Sequence, residues 1–167
     1  MSLTEMEFAV SSPSPIDIVE AMFRANEWPF ERTEYDEIFV EMAGGWCDYE
    51  MFFAWREDLQ SLYFACKFDM KIPESKRKGI NDLLVMMNQK IWMGHFDLSQ
   101  EDGSPMYRNT IPVRGLSQVS VEILEDMMDV ALVECERFYP AFQFLVWGGH
   151  APEKAISAAL LDCAGEA

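Results

Sequence analysis

The chain has 167 residues, half of them apolar, which is enough for one domain with a buried core. Its 29 acidic and 13 basic residues give a net charge of −16, which argues against nonspecific binding to nucleic acid or to anionic membranes. The apolar runs are too short to span a bilayer, and the first ten residues lack the basic start of a signal peptide, so we expect a cytoplasmic protein.

The first part of the chain favours no regular structure. The cluster "SSPSP" closes residues 1–15, which we expect to be a flexible segment, and a single domain is expected over residues 16–164. Apolar residues from Ile16 to Phe23 recur at helical spacing, which predicts a helix ending near Asn26. Residues 30–33 can add a strand, and the preceding Pro29 favours an edge position for it.

Residues 38–70 alternate apolar and polar side chains in three segments, which predicts a three-stranded antiparallel meander. A four-residue loop at 57–60 would pair Trp55 with Leu62 and Phe53 with Phe64. All three segments then place their apolar set on one buried face.

A glycine pair separates the first two of these strands. A two-residue turn at Gly44 and Gly45 would pair Met42 with Cys47, because glycine tolerates the positive φ that such turns need. This turn fixes the predicted register of the first hairpin.

The outward face of the meander carries aromatic side chains among acids. Phe39, Phe52 and Tyr63 fall together on this face, and Trp46 lies at its edge. Contiguous exposed apolar patches mark partner sites, so we predict that these four residues bind a protein. A plain solvated face is the alternative.

The middle of the chain predicts a helix and a second hairpin. Residues 74–93 carry apolar residues at helical spacing, and Gly94 would end that helix. Residues 95–115 read as a hairpin with Asp102 and Gly103 in its loop. Pro105 and Pro112 would keep its second strand near an edge of the sheet.

A long helix should follow the cap residue Ser120, with a buried stripe from Val121 to Phe138. Its opposite side is acidic, and we predict that this side steers a basic partner. The acidic residues of that side are Glu122, Glu125, Asp126, Asp129 and Glu136, of which Glu122, Asp126 and Asp129 are the predicted contacts. Pro140 should kink or restart the helix, and a last helix should run from Pro152 to residue 160 or 161.

No motif in the sequence commits the chain to catalysis. The four cysteines are far apart in sequence, so we expect free thiols and neither a metal site nor a cofactor. His95 and Asp97 share a predicted strand face, and with Arg108 they could form the site of a small-molecule or metal-dependent enzyme. A surface histidine on a hairpin is the simpler interpretation, and no catalytic residue is expected.

Two tracts carry a family resemblance. The stretches "GHFDLSQEDGSPMYRNTIPVRG" and "ECERFYPAFQFLVWGG" resemble the YbjN-type family of bacterial sensory-transduction regulators, and the likeness extends over residues 16–164. The resemblance implies an α+β fold like that of type III secretion chaperones, with helices flanking an antiparallel sheet, and it implies dimers. It supplies no catalytic residues, and Asn109 stands where similar sequences lead us to expect histidine.

We therefore expect a noncatalytic, dimeric, chaperone-like module that regulates or holds a bacterial protein partner. Two other readings stay open at this stage. One is the enzyme built around His95, and the other is an acidic mimic of DNA that competes for a basic partner.

Overall fold

The structure, a computed structural model, describes residues 12–165. Within that range the chain forms four α-helices, six β-strands and a short 3-10 turn at Glu74–Lys76. The helices and strands in chain order are α1 Pro15–Ala25, β1 Phe30–Arg32, β2 Glu37–Ala43, β3 Asp48–Arg56, β4 Ser61–Lys67, α2 Arg77–Asn88, β5 His95–Leu98, β6 Pro105–Pro112, α3 Val121–Val146 and α4 Pro152–Gly165.

The strands form one antiparallel sheet in the order β1-β2-β3-β4-β6-β5. The predicted α+β class is confirmed, and β1 lies at an edge, directly after Pro29. The predicted edge position of β6 is wrong, because β6 pairs with β4 on one side and with β5 on the other. Pro105 and Pro112 are its first and last residues, where a missing N–H leaves the interior of the ladder intact.

The core lies between one face of this sheet and the helices. Helix α1 packs on β2 and β3, α3 packs on β4 and β6, and α2 packs on β5. Side chains of alternate strand positions are buried there, while the outward positions of β2 and β3 are exposed or half-buried. The buried strand residues include Ile38, Val40, Tyr49, Met51, Phe53, Leu62, Phe64, Cys66, Phe96 and Tyr107. The described helices therefore cover one face and leave the other open.

The predicted register of β3 with β4 is confirmed, and the predicted register of β2 with β3 is wrong. Across β3 and β4, Trp55 pairs with Leu62 as predicted. Across β2 and β3, Met42 pairs with Tyr49 and not with Cys47. The loop has four residues, closed by the Gly44 N–H, which donates to the Cys47 carbonyl at 2.9 Å. Because the register differs by two residues, every side chain keeps its predicted face.

The helices differ from prediction mainly at their ends. Helix α1 begins at Pro15, where Ser14 and Asp17 form a capping box. The expectation of flexibility for residues 1–11 lies outside the described residues. Helix α2 ends at Asn88, earlier than predicted, because the Asn88 amide accepts from the Phe96 N–H at 2.6 Å and donates to the Phe96 carbonyl at 3.0 Å. This side chain directs the loop into β5. Helix α4 runs to Gly165, beyond its predicted end.

Helix α3 runs through Pro140 without a break, so the predicted restart there is wrong, and the predicted kink stays a prediction. Proline removes the N–H that the Glu136 carbonyl would accept, but the Pro140 ring is buried in the core. Val121, predicted in the buried stripe, is exposed because it is the first residue of the helix. The other end of the stripe, Phe138, is fully buried.

Three cysteines, Cys47, Cys66 and Cys135, are free thiols, as predicted. Burial raises the pKa of both the Cys47 and the Cys135 thiol above the usual value. No helix within residues 12–165 is both long and apolar enough to cross a membrane.

Candidate functional site

The pairing of the six strands aligns one continuous row of side chains across the open face of the sheet, the face turned away from the helices. Residues paired between neighbouring strands point to the same side, so the row can be followed from β1 to β5. Its members are Glu31, Phe39, Phe52, Ala65, Arg108 and His95.

Three aromatic rings lie in contact on this face. The centroids of Phe39 and Phe52 are 4.7 Å apart, and those of Phe52 and Tyr63 are 5.8 Å apart in an edge-to-face arrangement. All three side chains are partly exposed. We call Phe39, Phe52 and Tyr63 the aromatic cluster. The structure brings together the three residues that alternation placed on one face.

Arg108 extends this cluster towards β5. Its guanidinium carbon lies 5.3 Å from the centre of the Tyr63 ring, and its Nη1 donates to the Asp97 carboxylate at 2.7 Å. Burial lowers the pKa of Arg108, but the hydrogen bonds to Asp97 and Tyr63 outweigh it and raise that pKa overall. His95 pairs with Arg108 across the strands and is exposed. The residues of the enzymatic alternative therefore lie beside the aromatic cluster, with Asp97 bonded to arginine.

An acidic cluster, Glu41, Asp48 and Glu50, lies at the other side of the aromatic rings. Glu41 and Glu50 are directly opposed across β2 and β3. They line a hollow of about 460 Å³ together with Asp48, with the segment from Lys67 to Lys71, and with Asp102 and Ser104 of the β5–β6 loop. Glu50 also faces Lys67 as predicted, yet the Lys67 ammonium bonds to Asp102 at 2.7 Å.

Trp46 lies away from the open face. It is in the loop between β2 and β3, and its ring stacks on Tyr139 of α3 with centroids 5.9 Å apart and planes 9° apart. It is half exposed. Its predicted place at the edge of the aromatic patch is therefore wrong, because the loop turns towards the helix layer.

Glu136 explains the position of that loop. Its Oε1 accepts from the Tyr49 hydroxyl at 2.7 Å and from the Trp46 N–H at 3.4 Å. A Cβ on Gly44 or Gly45 would lie 2.6 Å from its carboxylate oxygens, and at Gly44 it would also lie 2.8 Å from the Cys47 carbonyl oxygen, so glycine is needed at Gly44 for this close approach. Burial and the bond to Glu136 raise the pKa of Tyr49. The prediction that Glu136 belongs to the solvent-facing acidic side of α3 is therefore wrong.

The other four acids predicted on the outer side of α3 are exposed. We call them the α3 acidic face; they are Glu122, Glu125, Asp126 and Asp129. Since α3 packs on the covered side of the sheet, this face belongs to the helix layer. The predicted contacts Glu122, Asp126 and Asp129 are thus separated from the aromatic cluster by the thickness of the molecule.

Among the residues that the structure describes, no group of three or more His, Cys, Asp or Glu side chains is arranged to hold a metal ion. The open face instead combines an aromatic cluster, a paired arginine and unpaired carboxylates. Such a surface can bind another macromolecule by apolar contact and charge.

The sequence matches the family model of YbjN, "Putative bacterial sensory transduction regulator", over residues 15–144. This match covers more than half of the chain. The chain belongs to the YbjN family. The matched range contains all six strands of the described sheet and most of α3, so both candidate surfaces lie inside the YbjN match.

A solved structure with a similar fold is that of YbjN from E. coli, "a putative transcription regulator". Its TM-score is 0.52 at 10% sequence identity, and the similarity covers 74% of this chain and 88% of that chain. At this identity the likeness shows the fold alone. No curated protein matches the sequence.

This YbjN-family chain also carries an exposed tryptophan that no sequence pattern indicated. Trp92, between α2 and β5, is fully exposed. Its loop is fixed on both sides, because the Tyr107 hydroxyl donates to the Met93 carbonyl at 2.7 Å and Asn88 bonds to Phe96. Trp92 falls in a short loop without periodicity, so no sequence pattern distinguishes it from a core residue.

Proposed function

We propose that this chain is a noncatalytic bacterial regulator that binds a protein partner through the open face of its sheet. It would act in the cytoplasm as a homodimer with a fold like that of type III secretion chaperones, holding or regulating that partner. The α3 acidic face would steer the partner by long-range attraction.

The aromatic cluster is the observation that carries this proposal. Three rings on a rigid sheet, with Phe52 in contact with both Phe39 and Tyr63, lose little conformational entropy when they are covered by a partner. Burying one phenylalanine side chain is worth about 1.5–3 kcal/mol, so even a small cluster can dominate an interface. Membership of a family of regulators supports a binding role.

The charged residues beside the aromatic cluster favour this proposal over the enzymatic alternative. The charged groups nearest to it, Arg108 and Asp97, bond to each other. A general base would instead need a free carboxylate to orient His95. The arrangement thus favours a binding surface over a catalytic site.

The proposal is tested by affinity capture from the native cytosol with quantitative mass spectrometry. The tagged wild type is compared with a Phe39→Asp, Phe52→Asp variant and with a Val85→Asp variant, in which an exposed valine on α2 is changed. We expect a partner that the wild type and Val85→Asp retain and that the double variant loses by at least about tenfold, since two buried rings are removed.

Folding of each variant is checked by circular dichroism and its oligomeric state by light scattering. Equal capture by the double variant and the wild type would contradict the assignment of the binding surface. A double variant that is monomeric where the wild type is dimeric would place the subunit interface on this face.

A further inference from the structure

The acidic cluster lines a hollow with an excess of negative charge, since five carboxylates lie there against two lysines. Glu41 and Glu50 oppose each other across a strand pair, where side chains lie about 5 Å apart, and Asp48 is their diagonal neighbour. None of the three carboxylates makes a hydrogen bond or an ion pair with another described residue. Like charges directly opposed across strands destabilise a sheet, so this arrangement favours the arrival of positive charge from outside.

Two cations of the open face already bond to carboxylates of the chain. Lys67 bonds to Asp102 and Arg108 bonds to Asp97, each at 2.7 Å. Lys71 also lines the hollow, but a second copy stacked on the same face would bring five carboxylates for its two lysines and would add to the excess of negative charge. The charge pattern favours a cationic partner over a second copy.

The acidic and aromatic clusters are neighbours along the strands. Phe39 and Phe52 form one cross-strand pair, and Glu41 and Glu50 form the next pair on the same face. Two residues along a strand span about 7 Å. A single short segment of a partner can therefore contact the rings and the carboxylates at once.

We infer that the open face binds a polypeptide segment in which a lysine or arginine lies about 7 Å from an aromatic or branched aliphatic side chain. The cation is held by Glu41, Asp48 and Glu50, and the apolar group covers the aromatic cluster. The inference rests on the proposed function and specifies the chemistry of its partner.

The test uses three short synthetic peptides and the isotope-labelled full chain, followed by NMR. The first peptide repeats Phe-Ser-Lys-Ser, which places phenylalanine and lysine two residues apart on one face of an extended chain. The second replaces every lysine by glutamine, and the third replaces every phenylalanine by alanine. We expect only the first to shift the amide signals of β2, β3 and β4.

Two variants decide which carboxylates act. Glu41→Gln with Glu50→Gln should weaken binding of the first peptide by roughly fivefold or more, because two facing charges are lost. The matched control, Glu74→Gln with Asp82→Asn, removes two exposed charges in and just before α2, outside both acidic surfaces, and should leave affinity within about twofold. The sheet variant should also unfold at a higher temperature than the wild type, since the repulsion between its strands is gone.

Each other outcome overturns the inference. Equal binding of the glutamine peptide would remove the role of the cation and leave the proposed protein-binding function standing. Shifts centred on α3 would place the cation site in the helix layer. Failure of all three peptides would reject this partner chemistry, and the capture experiment would then judge the proposed function separately.

Discussion

Gly44 illustrates at a single residue how the loop between β2 and β3 depends on α3. A Cβ at this position would lie 2.8 Å from the Cys47 carbonyl oxygen and 2.6 Å from the Glu136 carboxylate, and it would also overlap the Tyr49 ring. We expect Gly44→Ala to lower the free energy of unfolding by about 1–3 kcal/mol, because the backbone must move and the Tyr49 hydroxyl loses its acceptor. Urea denaturation followed by tryptophan fluorescence measures this.

Gly79→Ala is the matched control at residue scale. In α2 the new Cβ would meet the Leu145 side chain at 3.4 Å, an ordinary contact, and alanine favours the helix. This variant should gain about 0.5–1 kcal/mol. If Gly44→Ala and Gly79→Ala lowered the free energy of unfolding equally, crowding against Glu136 would not explain why glycine occupies position 44.

The loop that contains Gly44 also shows which features could not be predicted from the sequence. Alternation predicted the aromatic cluster and the pairing of β3 with β4, because both depend on a period of two and a short loop. The register of β2 with β3 was missed because the two glycines were assigned to a tight turn. Their actual cause is Glu136, which is distant in sequence. The displacement of Trp46 from the sheet face has the same origin.

The ion pair between β4 and the β5–β6 loop gives a prediction at the scale of elements. The Lys67 ammonium holds the pKa of Asp102 well below its ordinary value of 3.8, and the Ser104 N–H also bonds to this carboxylate. A carboxylate with a lowered folded-state pKa stabilises the fold above its unfolded-state pKa, and this stabilisation is lost as pH falls towards the folded-state pKa.

We therefore expect Asp102→Asn to reduce the free energy of unfolding at pH 7 by about 0.5–1 kcal/mol, a discounted value because both partners are partly exposed. The difference in free energy of unfolding between Asp102→Asn and the wild type should shrink as pH is lowered below about 4. Denaturant unfolding of both proteins across this pH range measures it. Asp58→Asn, which breaks the exposed pair with Arg56, is the control and should produce no measurable loss. A difference for Asp102→Asn that stays constant with pH would contradict the ion-pair account.

At the scale of elements, the sequence predicted which helices and strands exist better than where they lie. The two prolines of β6 indicated an edge, yet they mark the ends of an interior strand. Local composition cannot distinguish these cases, since both leave the ladder without a proline in its middle. Similarly, the sequence indicates a break at Pro140, yet α3 continues through this residue with the proline ring buried in the core.

The whole molecule has two layers, and its charge is spread over both. The open face carries the acidic cluster, and the helix layer carries the α3 acidic face. With a net charge of −16, the folded chain brings many like charges closer together than the unfolded chain does. This repulsion favours solubility and opposes compactness. Each of the few described ion pairs is worth too little to balance it.

This charge makes the stability of the whole molecule depend on salt. Screening at higher ionic strength reduces repulsion between exposed carboxylates, so the free energy of unfolding should rise by about 1 kcal/mol between low salt and half-molar sodium chloride. A variant carrying Glu125→Lys, Asp126→Lys and Asp129→Lys changes the net charge from −16 to −10. The free energy of unfolding of this variant should depend less on salt, because its charge repulsion is weaker. The three positions are exposed and lie beyond the first turn of α3, so the substitutions remove no packing contact. Urea titrations at several salt concentrations give the slope of the free energy of unfolding against salt concentration for the wild type and for the variant. Equal slopes would show that the response comes from salt acting on apolar surface, since that effect does not depend on the charge of α3.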